Sequence, residues 1–261
     1  MTTLHPMFAG GPYQGYVYAY PHKTAYRPIE PRPLRDVWAN DPQDSLLLYV
    51  HIPFCTMRCG FCNLFTTPNP HRGMVELYLD ALRSQAEAVR TELPGATFSR
   101  FVIGGGTPTF LDRDDLHQVF TIARDVMGAD LKALPIGIET SPDTLTGDHI
   151  AMFRGWGVNR VSIGVQSFIE GEAANSGRPQ SRRDVDNALS LLADAQFPAF
   201  NIDLIYGLPG QTVGTWRYSL EEALRFGPQE LYLYPLYVRP LTGLGRSRKE
   251  WDDVRLTRVA A

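Results

Sequence analysis

The sequence contains only three cysteines, and it lacks both a long apolar run and an excess of basic residues. No stretch of about 18 consecutive apolar residues is present, so we expect no transmembrane helix. The first residues show no basic start followed by an apolar stretch, which argues against a secretory signal peptide. The net charge of −3 gives no broad basic surface for nucleic acid. We therefore expect a cytoplasmic protein with no membrane span and no nucleic-acid partner.

The first 45 residues differ from the rest because they are rich in proline and tyrosine. Pro28, Pro31 and Pro33 exclude a regular helix in that stretch. We predict an extended N-terminal arm over residues 1–45, whose aromatic rings pack on the body of the protein. These rings belong to Tyr13, Tyr16, Tyr18, Tyr20 and Tyr26.

From residue 46 onward, short apolar runs alternate with amphipathic stretches. The apolar runs predict strands, and the stretches between them predict helices. The predicted strands are 45–52, 100–106, 134–140, 159–168, 199–209 and 230–238, and the predicted helices are 73–93, 112–128, 141–157, 181–197 and 212–227. In the second helix, Asp112 is the expected N-cap and Gly128 the expected terminator.

Strands and helices in strict alternation predict an α/β protein with a parallel sheet. Six units favour an open (β/α)6 partial barrel, of the TIM type, over a closed one, and a flat doubly wound sheet is the alternative. In either case ligands belong at the carboxyl ends of the strands. We assign residues 46–240 to this core. Residues 241–261 begin a helical pattern that stops, which predicts the start of a truncated or absent C-terminal domain.

The three cysteines, Cys55, Cys59 and Cys62, follow the first predicted strand with the spacing C-x3-C-x2-C. Thiols stay reduced in the cytoplasm, so clustered cysteines there indicate a metal or catalytic site. Three thiolates on one loop can hold three irons of a [4Fe–4S] cluster, which leaves the fourth iron open to a ligand. A zinc site with His51 as the fourth ligand is the alternative, although its spacing fits zinc fingers poorly.

Other candidate residues follow the remaining strands. The glycines of "GGGTPTFL" (104–111) let the backbone approach a ligand closely, although an ordinary turn is the alternative. Glu139 could bind ribose hydroxyls or cap the next helix. Asp203 interrupts an apolar strand, shares a face with Asn201, and is costly unless it is paired or bound to a ligand. Gln166 ends the fourth strand, and each of these residues could also be a satisfied polar group facing inward.

The cysteine motif resembles that of the radical S-adenosylmethionine (SAM) enzymes. The resemblance implies a [4Fe–4S] cluster whose open iron chelates SAM and whose electron cleaves it to a 5′-deoxyadenosyl radical, which abstracts hydrogen from substrate. It also implies an electron donor such as flavodoxin or ferredoxin. It assigns Gly105, Gly106 and Thr107 to the segment that contacts the methionine part of SAM.

The segments "YVHIPFC", "GGGTPT", "GVQSF" and "NIDLIYGLPGQT" are similar to the branch of anaerobic coproporphyrinogen III oxidases and their haem-chaperone relatives. This resemblance implies contacts from Tyr49, Gly105 and Glu139 to the cluster-bound SAM. It further implies a second SAM molecule, which Phe61, Gln166, Arg178 and Asp203 would contact. Taken by itself, Arg178 stands in a polar loop and would be expected in solvent, whereas its planar guanidinium also suits a carboxylate.

The resemblance leaves the substrate open. Leu64 occupies a position where the oxidases carry another cysteine, and we expect the C-terminal domain of that branch to be truncated or absent here. We expect a small-molecule or peptide substrate that undergoes oxidative decarboxylation, methyl transfer or peptide modification. The alternatives are a haem-binding chaperone, with His5, His22 or His71 as candidate axial ligands, and an inactive fragment.

Overall fold

The computed structural model describes residues 26–238 and 242–246. Residues 26–33 have no regular secondary structure, but a one-turn helix, α1 (Leu34–Val37), begins directly after Pro33. The prediction that the first 45 residues contain no regular helix is therefore wrong at this helix. Tyr26 is 60% exposed, so the prediction that its ring packs on the body is wrong. Tyr13, Tyr16, Tyr18 and Tyr20 lie outside the described residues.

Six parallel strands form the main sheet, and each pairs with the next long strand in the chain. A doubly wound sheet would reverse its strand order at a switch point, so this sequential order excludes that alternative. The described part of the chain shows no pairing between the first and last strands, and the sheet is an open partial barrel as predicted. The strands are β1 (Leu46–Ile52), β4 (Phe98–Gly105), β5 (Ile136–Thr140), β6 (Arg160–Gln166), β7 (Ala199–Tyr206) and β8 (Glu230–Pro235).

Helices connect the strands of the sheet and cover its outer face. They are α2 (Arg72–Glu92), α3 (Arg113–Thr121), α4 (Gly147–Trp156), α5 (Glu170–Asn175), α6 (Arg182–Ala195) and α7 (Val213–Arg225), whereas the short helix α8 (Gly243–Arg246) follows the last strand. Asp112 caps α3 as predicted, because its side chain accepts a hydrogen bond from the Asp115 N–H. The helix continues as a π-helical turn, Ile122–Val126, before Gly128 adopts a left-handed conformation.

The hydrophobic core lies between the sheet and these helices. Alternate residues of each strand point into it, and the apolar side chains of the four central strands are almost completely buried: Phe101, Ile103, Ile136, Ile138, Val161, Ile163, Val165, Phe200, Ile202 and Leu204. Burying apolar surface stabilises the fold by about 25 cal/mol per Å². The outer face of the sheet therefore holds the barrel together and leaves the inner face to polar groups.

Polar side chains occupy the inner face near the carboxyl ends of the strands. Glu139 of β5 lies level with Ser162 of β6, which in turn lies level with Asn201 of β7. Asp203 is on the same face of β7, two residues closer to the carboxyl end. Because all six strands run in the same direction, these groups and the loops that follow the strands meet at one mouth of the barrel.

Two very short strands, β2 (Phe54–Cys55) and β3 (Thr67–Pro68), pair beside this mouth and enclose the cysteine loop. None of the described helices combines the length and the apolar character needed to cross a membrane.

Candidate functional site

The cysteine loop runs from Cys55, the last residue of β2, to Cys62. A hydrogen bond of 3.0 Å from the Cys62 N–H to the Cys59 carbonyl closes a turn within it. Past the loop, the N–H groups of Thr67 and Asn69 donate to the Pro53 and Cys55 carbonyls, both at 2.7 Å. The loop is therefore held at its base, and all three free thiols line one cavity of about 290 Å³ at the barrel mouth.

Three free thiols that line one cavity are the donor set that a cubane cluster requires. Among the described residues, no three Cys, His, Asp or Glu side chains converge as ligands of a single metal ion. A cubane does not require such convergence, because each thiolate binds a different iron. His51, the proposed fourth zinc ligand, is engaged elsewhere: its ring nitrogens contact the Tyr49 hydroxyl at 3.1 Å and the Phe65 carbonyl at 2.9 Å. The donor set therefore suits a [4Fe–4S] cluster better than zinc.

The glycine segment after β4 packs directly against the cysteine loop. Gly106 and Thr107 donate their N–H groups to the Ile52 and Phe54 carbonyls at 2.7 and 2.8 Å. A Cβ atom on Gly106 would lie 2.8 Å from the Cys55 sulfur, so only glycine fits at this position. The Thr107 hydroxyl donates to the same sulfur at 3.7 Å. Burial raises the pKa of the Cys55 thiol, and the Thr107 hydrogen bond opposes that shift.

Glu139 joins this segment from the next strand. Its Oε2 accepts a hydrogen bond of 3.1 Å from the Gly105 N–H, and Gly105 has a φ of +116°. Solvent reaches the carboxylate through the cavity, but the barrel walls surround it, and this burial raises its pKa. The alternative that Glu139 caps the next helix is wrong, because Thr146 caps α4.

Gln166 and Arg178 also line the cavity. Gln166 has a φ of +68°, which is strained for any residue with a side chain, and the register of β6 against β7 shifts there. Arg178 is half-buried and not free in solvent, and its Nη1 donates to the Cys59 sulfur at 3.2 Å. A strained backbone and a partly buried cation are features of functional sites and are uncommon on ordinary protein surfaces.

Asp203 is the other carboxyl group in the cavity. The Asn201 amide donates to it at 2.7 Å and the Ser162 hydroxyl at 3.3 Å. Burial raises the pKa of Asp203 to about 6, and the nearby charge of Glu139 acts in the same direction. The two hydrogen bonds only partly offset this shift, so the group titrates in the range where enzymes operate.

The structure places every predicted site residue around this cavity except Tyr49. Tyr49 is half-exposed on β1, and its hydroxyl is held by His51. Burial and the negative charge of Glu139 raise the pKa of the Tyr49 hydroxyl.

A second cavity of about 260 Å³ adjoins the first. The residues that line both cavities are Phe61, Cys62, Leu64, Gln166, Asp203 and Tyr234, and Tyr237 adds aromatic surface to the second.

Sequence reasoning missed the polar groups that surround the cysteine loop. Thr56 donates from its hydroxyl to Asp143 Oδ2 at 2.6 Å, and Ser141 donates to the other oxygen of Asp143. Ser141 in turn accepts from Arg178 Nη2 at 2.9 Å. The only signal was the position of Ser141 and Asp143 directly after a strand end, in a stretch that predicted the beginning of a helix.

Gly60 is a further residue that sequence reasoning missed. It sits between two other parts of the chain: a Cβ there would lie 2.6 Å from the Ser176 carbonyl oxygen and 3.2 Å from the Leu244 side chain. The Gly60 carbonyl also accepts the Leu244 N–H at 2.8 Å. The beginning of α8 and the end of α5 thus pack against the cysteine loop at Gly60.

Comparison with known proteins matches residues 49–223 to the family model of the Radical SAM superfamily. The chain is 35% identical to the heme chaperone HemW of Synechocystis over 200 residues, which cover 74% of this chain and 48% of that protein. It is 32% identical to the oxygen-independent coproporphyrinogen III oxidase of Salmonella typhimurium over 230 residues, or 85% of this chain and 50% of the oxidase.

Among solved structures, coproporphyrinogen III oxidase (HemN) from Escherichia coli superimposes with a TM-score of 0.78 at 28% sequence identity. The match covers 87% of this chain and 53% of that enzyme. The chain thus spans about half the length of the curated relatives that it matches.

Proposed function

Because the chain belongs to the radical SAM superfamily, we propose that it is a radical SAM enzyme. In this proposal Cys55, Cys59 and Cys62 hold a [4Fe–4S] cluster and the cavity beside them receives SAM. One observation carries the proposal: three free thiols on one loop face the same cavity as a glycine segment that tolerates no side chain. When bound, such a cluster supplies the electron that cleaves SAM to a 5′-deoxyadenosyl radical, which abstracts hydrogen from substrate.

The residues around the cavity have distinct tasks in this proposal. Gly105 and Gly106 let SAM lie against the backbone, and Thr107 steadies the Cys55 sulfur. Glu139 accepts hydrogen bonds from ribose hydroxyls, because its carboxylate is already oriented by the Gly105 N–H. The barrel walls exclude water from the reacting groups, which protects a radical from side reactions.

We further propose that the second cavity receives the substrate or a second SAM molecule. Phe61 and Tyr234 offer aromatic surface there, while Gln166 and Asp203 offer polar contacts at the boundary with the first cavity. The reaction is an oxidative decarboxylation, a methyl transfer or a peptide modification on a small molecule or peptide. A flavodoxin or ferredoxin donates the electron, the protein acts in the cytoplasm, and residues 46–240 form the radical SAM core.

The proposal is tested by anaerobic reconstitution of the protein with iron and sulfide. We expect about four irons and four sulfides per chain, and 5′-deoxyadenosine after incubation with dithionite and SAM. Substituting any one of the three cysteines by alanine should abolish both results, whereas Ser84→Ala, on the exposed face of α2, should leave them unchanged. A fully loaded protein that forms no 5′-deoxyadenosine would contradict the proposal.

A haem chaperone is the second candidate, because the 35% identical relative carries that name. Of the candidate axial ligands, His5 and His22 lie outside the described residues. His71 is exposed at the start of α2, where its Nδ1 accepts the Met74 N–H at 3.2 Å. A haem titration separates the candidates: a Soret shift that is lost in a His71→Ala variant would support the chaperone, and an unchanged spectrum of the wild type would exclude it.

A further inference from the structure

Four side chains form a hydrogen-bonded chain that begins and ends on the cysteine loop. Thr56 donates to Asp143, Ser141 donates to Asp143, Arg178 donates to Ser141, and Arg178 also donates to the Cys59 sulfur. We call Thr56, Asp143, Ser141 and Arg178 the loop relay. The relay joins two positions of the cysteine loop, Thr56 and Cys59, that lie only three residues apart, although its other members come from the loops after β5 and α5.

The relay fixes the orientation of the Arg178 guanidinium. Besides Ser141 and Cys59, it donates to the Gly164 carbonyl at 2.9 Å and to the Gln180 side chain at 3.3 Å. The backbone beside it is equally constrained: Gly177 has a φ of +73°, and a Cβ there would lie 2.7 Å from the Gly60 nitrogen. The planar guanidinium group of Arg178 is therefore held in place before any ligand binds.

The charge of Arg178 is directed at the sulfur. Within residues 26–238 and 242–246, no carboxylate forms a salt bridge with this guanidinium, and its direct partners are neutral oxygens and the Cys59 thiol. A charged donor stabilises a sulfur more strongly as that sulfur carries more negative charge. Hydrogen bonds to the sulfurs are one of the means by which proteins set the potential of iron–sulfur clusters.

We propose that Arg178 is a positioning residue that raises the reduction potential of the cluster through its hydrogen bond to Cys59, and that Ser141 and Asp143 hold it there. This inference rests on the proposed function, because it requires a cluster on the three cysteines. It differs from the role implied by the family resemblance, in which Arg178 contacts a second SAM molecule. An external one-electron reductant would supply the added electron, and Arg178 would stabilise the part of its charge that the Cys59 sulfur carries.

The test is a redox titration of the reconstituted cluster without SAM, followed by electron paramagnetic resonance. We expect Arg178→Gln to retain wild-type iron content but to shift the midpoint to a more negative potential. A charge-assisted hydrogen bond is worth about a factor of ten in an equilibrium constant, and this equals about 59 mV for a one-electron couple. Ser141→Ala should shift the midpoint in the same direction by less. Arg183→Gln removes the same charge from an exposed side chain five residues away and should leave the midpoint unchanged.

Each outcome separates the two proposals. The inference would be overturned if Arg178→Gln and Arg178→Lys both kept the wild-type midpoint potential and only bound SAM more weakly. That result would assign the guanidinium to a SAM carboxylate. If Arg178→Gln fails to hold a cluster, a wild-type midpoint in Ser141→Ala would overturn it instead. A wild-type protein that holds no cluster would contradict the proposed function itself.

Discussion

Replacing Gly60 by alanine should prevent cluster binding while leaving the barrel folded. Gly60 lies between Cys59 and Cys62, two of the cysteines proposed to bind the cluster, and an added Cβ would come within 2.6 Å of the Ser176 carbonyl oxygen. Ordinary contact begins at 3.4 Å, so the loop or its neighbour must move by about 0.8 Å, the difference between these two distances. The obstacle is backbone, which cannot rotate aside as a flexible side chain would.

The size of that movement decides the outcome. Overpacking of this kind typically costs about 1–3 kcal/mol, which a domain of this size survives with a melting temperature lowered by several degrees. Metal–ligand distances, in contrast, tolerate only about 0.2 Å. The displacement is several times larger than this tolerance, so the two neighbouring thiolates can no longer reach their irons together.

The assay compares iron and sulfide content after anaerobic reconstitution with the thermal melting of the protein before reconstitution. Gly171→Ala is the matched control, because Gly171 lies in the nearby helix α5 and a Cβ there would meet nothing within 4 Å. We expect that control to bind a full cluster. A Gly60→Ala protein with wild-type iron content would refute the reasoning, because it would show that the loop adjusts without losing its ligand geometry.

Three further predictions concern the cavity walls. Gly105→Ala should lower the free energy of unfolding by about 1–3 kcal/mol, because φ is +116° and the Cβ would lie 2.8 Å from His51. Gly95→Ala is the control, and equal stability of the two variants in urea would contradict the prediction. The pKa of Asp203 is raised from 3.8 to about 6 on folding, so its contribution to stability is present below pH 4 and is lost as the pH rises through 6. Between pH 5 and pH 7.5, Asp203→Asn should therefore gain about 1 kcal/mol over the wild type in urea unfolding, and parallel pH profiles would disprove the shift. Gln166→Gly removes the strain at φ +68°, so the free energy of unfolding should change by less than about 1 kcal/mol. The same variant should weaken SAM binding several-fold in calorimetry. Wild-type affinity would exclude Gln166 from the SAM-binding wall.

The sequence predicts the architecture well because the barrel is built from regular units. Each strand of the main sheet overlaps its predicted range, since a parallel strand covered by helices must be apolar on its buried face. The elements that were missed are short or depend on their surroundings. Helix α5 has six residues and no apolar stripe to distinguish it from a loop, and the π-helical turn after α3 interrupts a pattern that otherwise reads as one helix.

The candidate site was predictable only in part, for a physical reason. Cysteines, glycines and buried carboxyl groups stand out because their chemistry is unusual in an apolar strand or a short loop. Arg178 looked like a surface residue because its partners, Cys59 and Ser141, are far away in the sequence. Which loops meet at the mouth of a barrel depends on strand register and curvature, and no local pattern contains that information. For the same reason, neither Ser141 nor Asp143 could be assigned to the site.

The contact between Gly60 and Leu244 has a consequence for biosynthesis. The cysteines leave the ribosome early, but the segment that closes behind their loop is the last described part of the chain to be made. At about 5–20 residues per second, the thiols of a nascent chain wait on the order of ten seconds before their full surroundings exist. Iron delivered in that interval would meet a cysteine loop that still lacks its contact with Leu244.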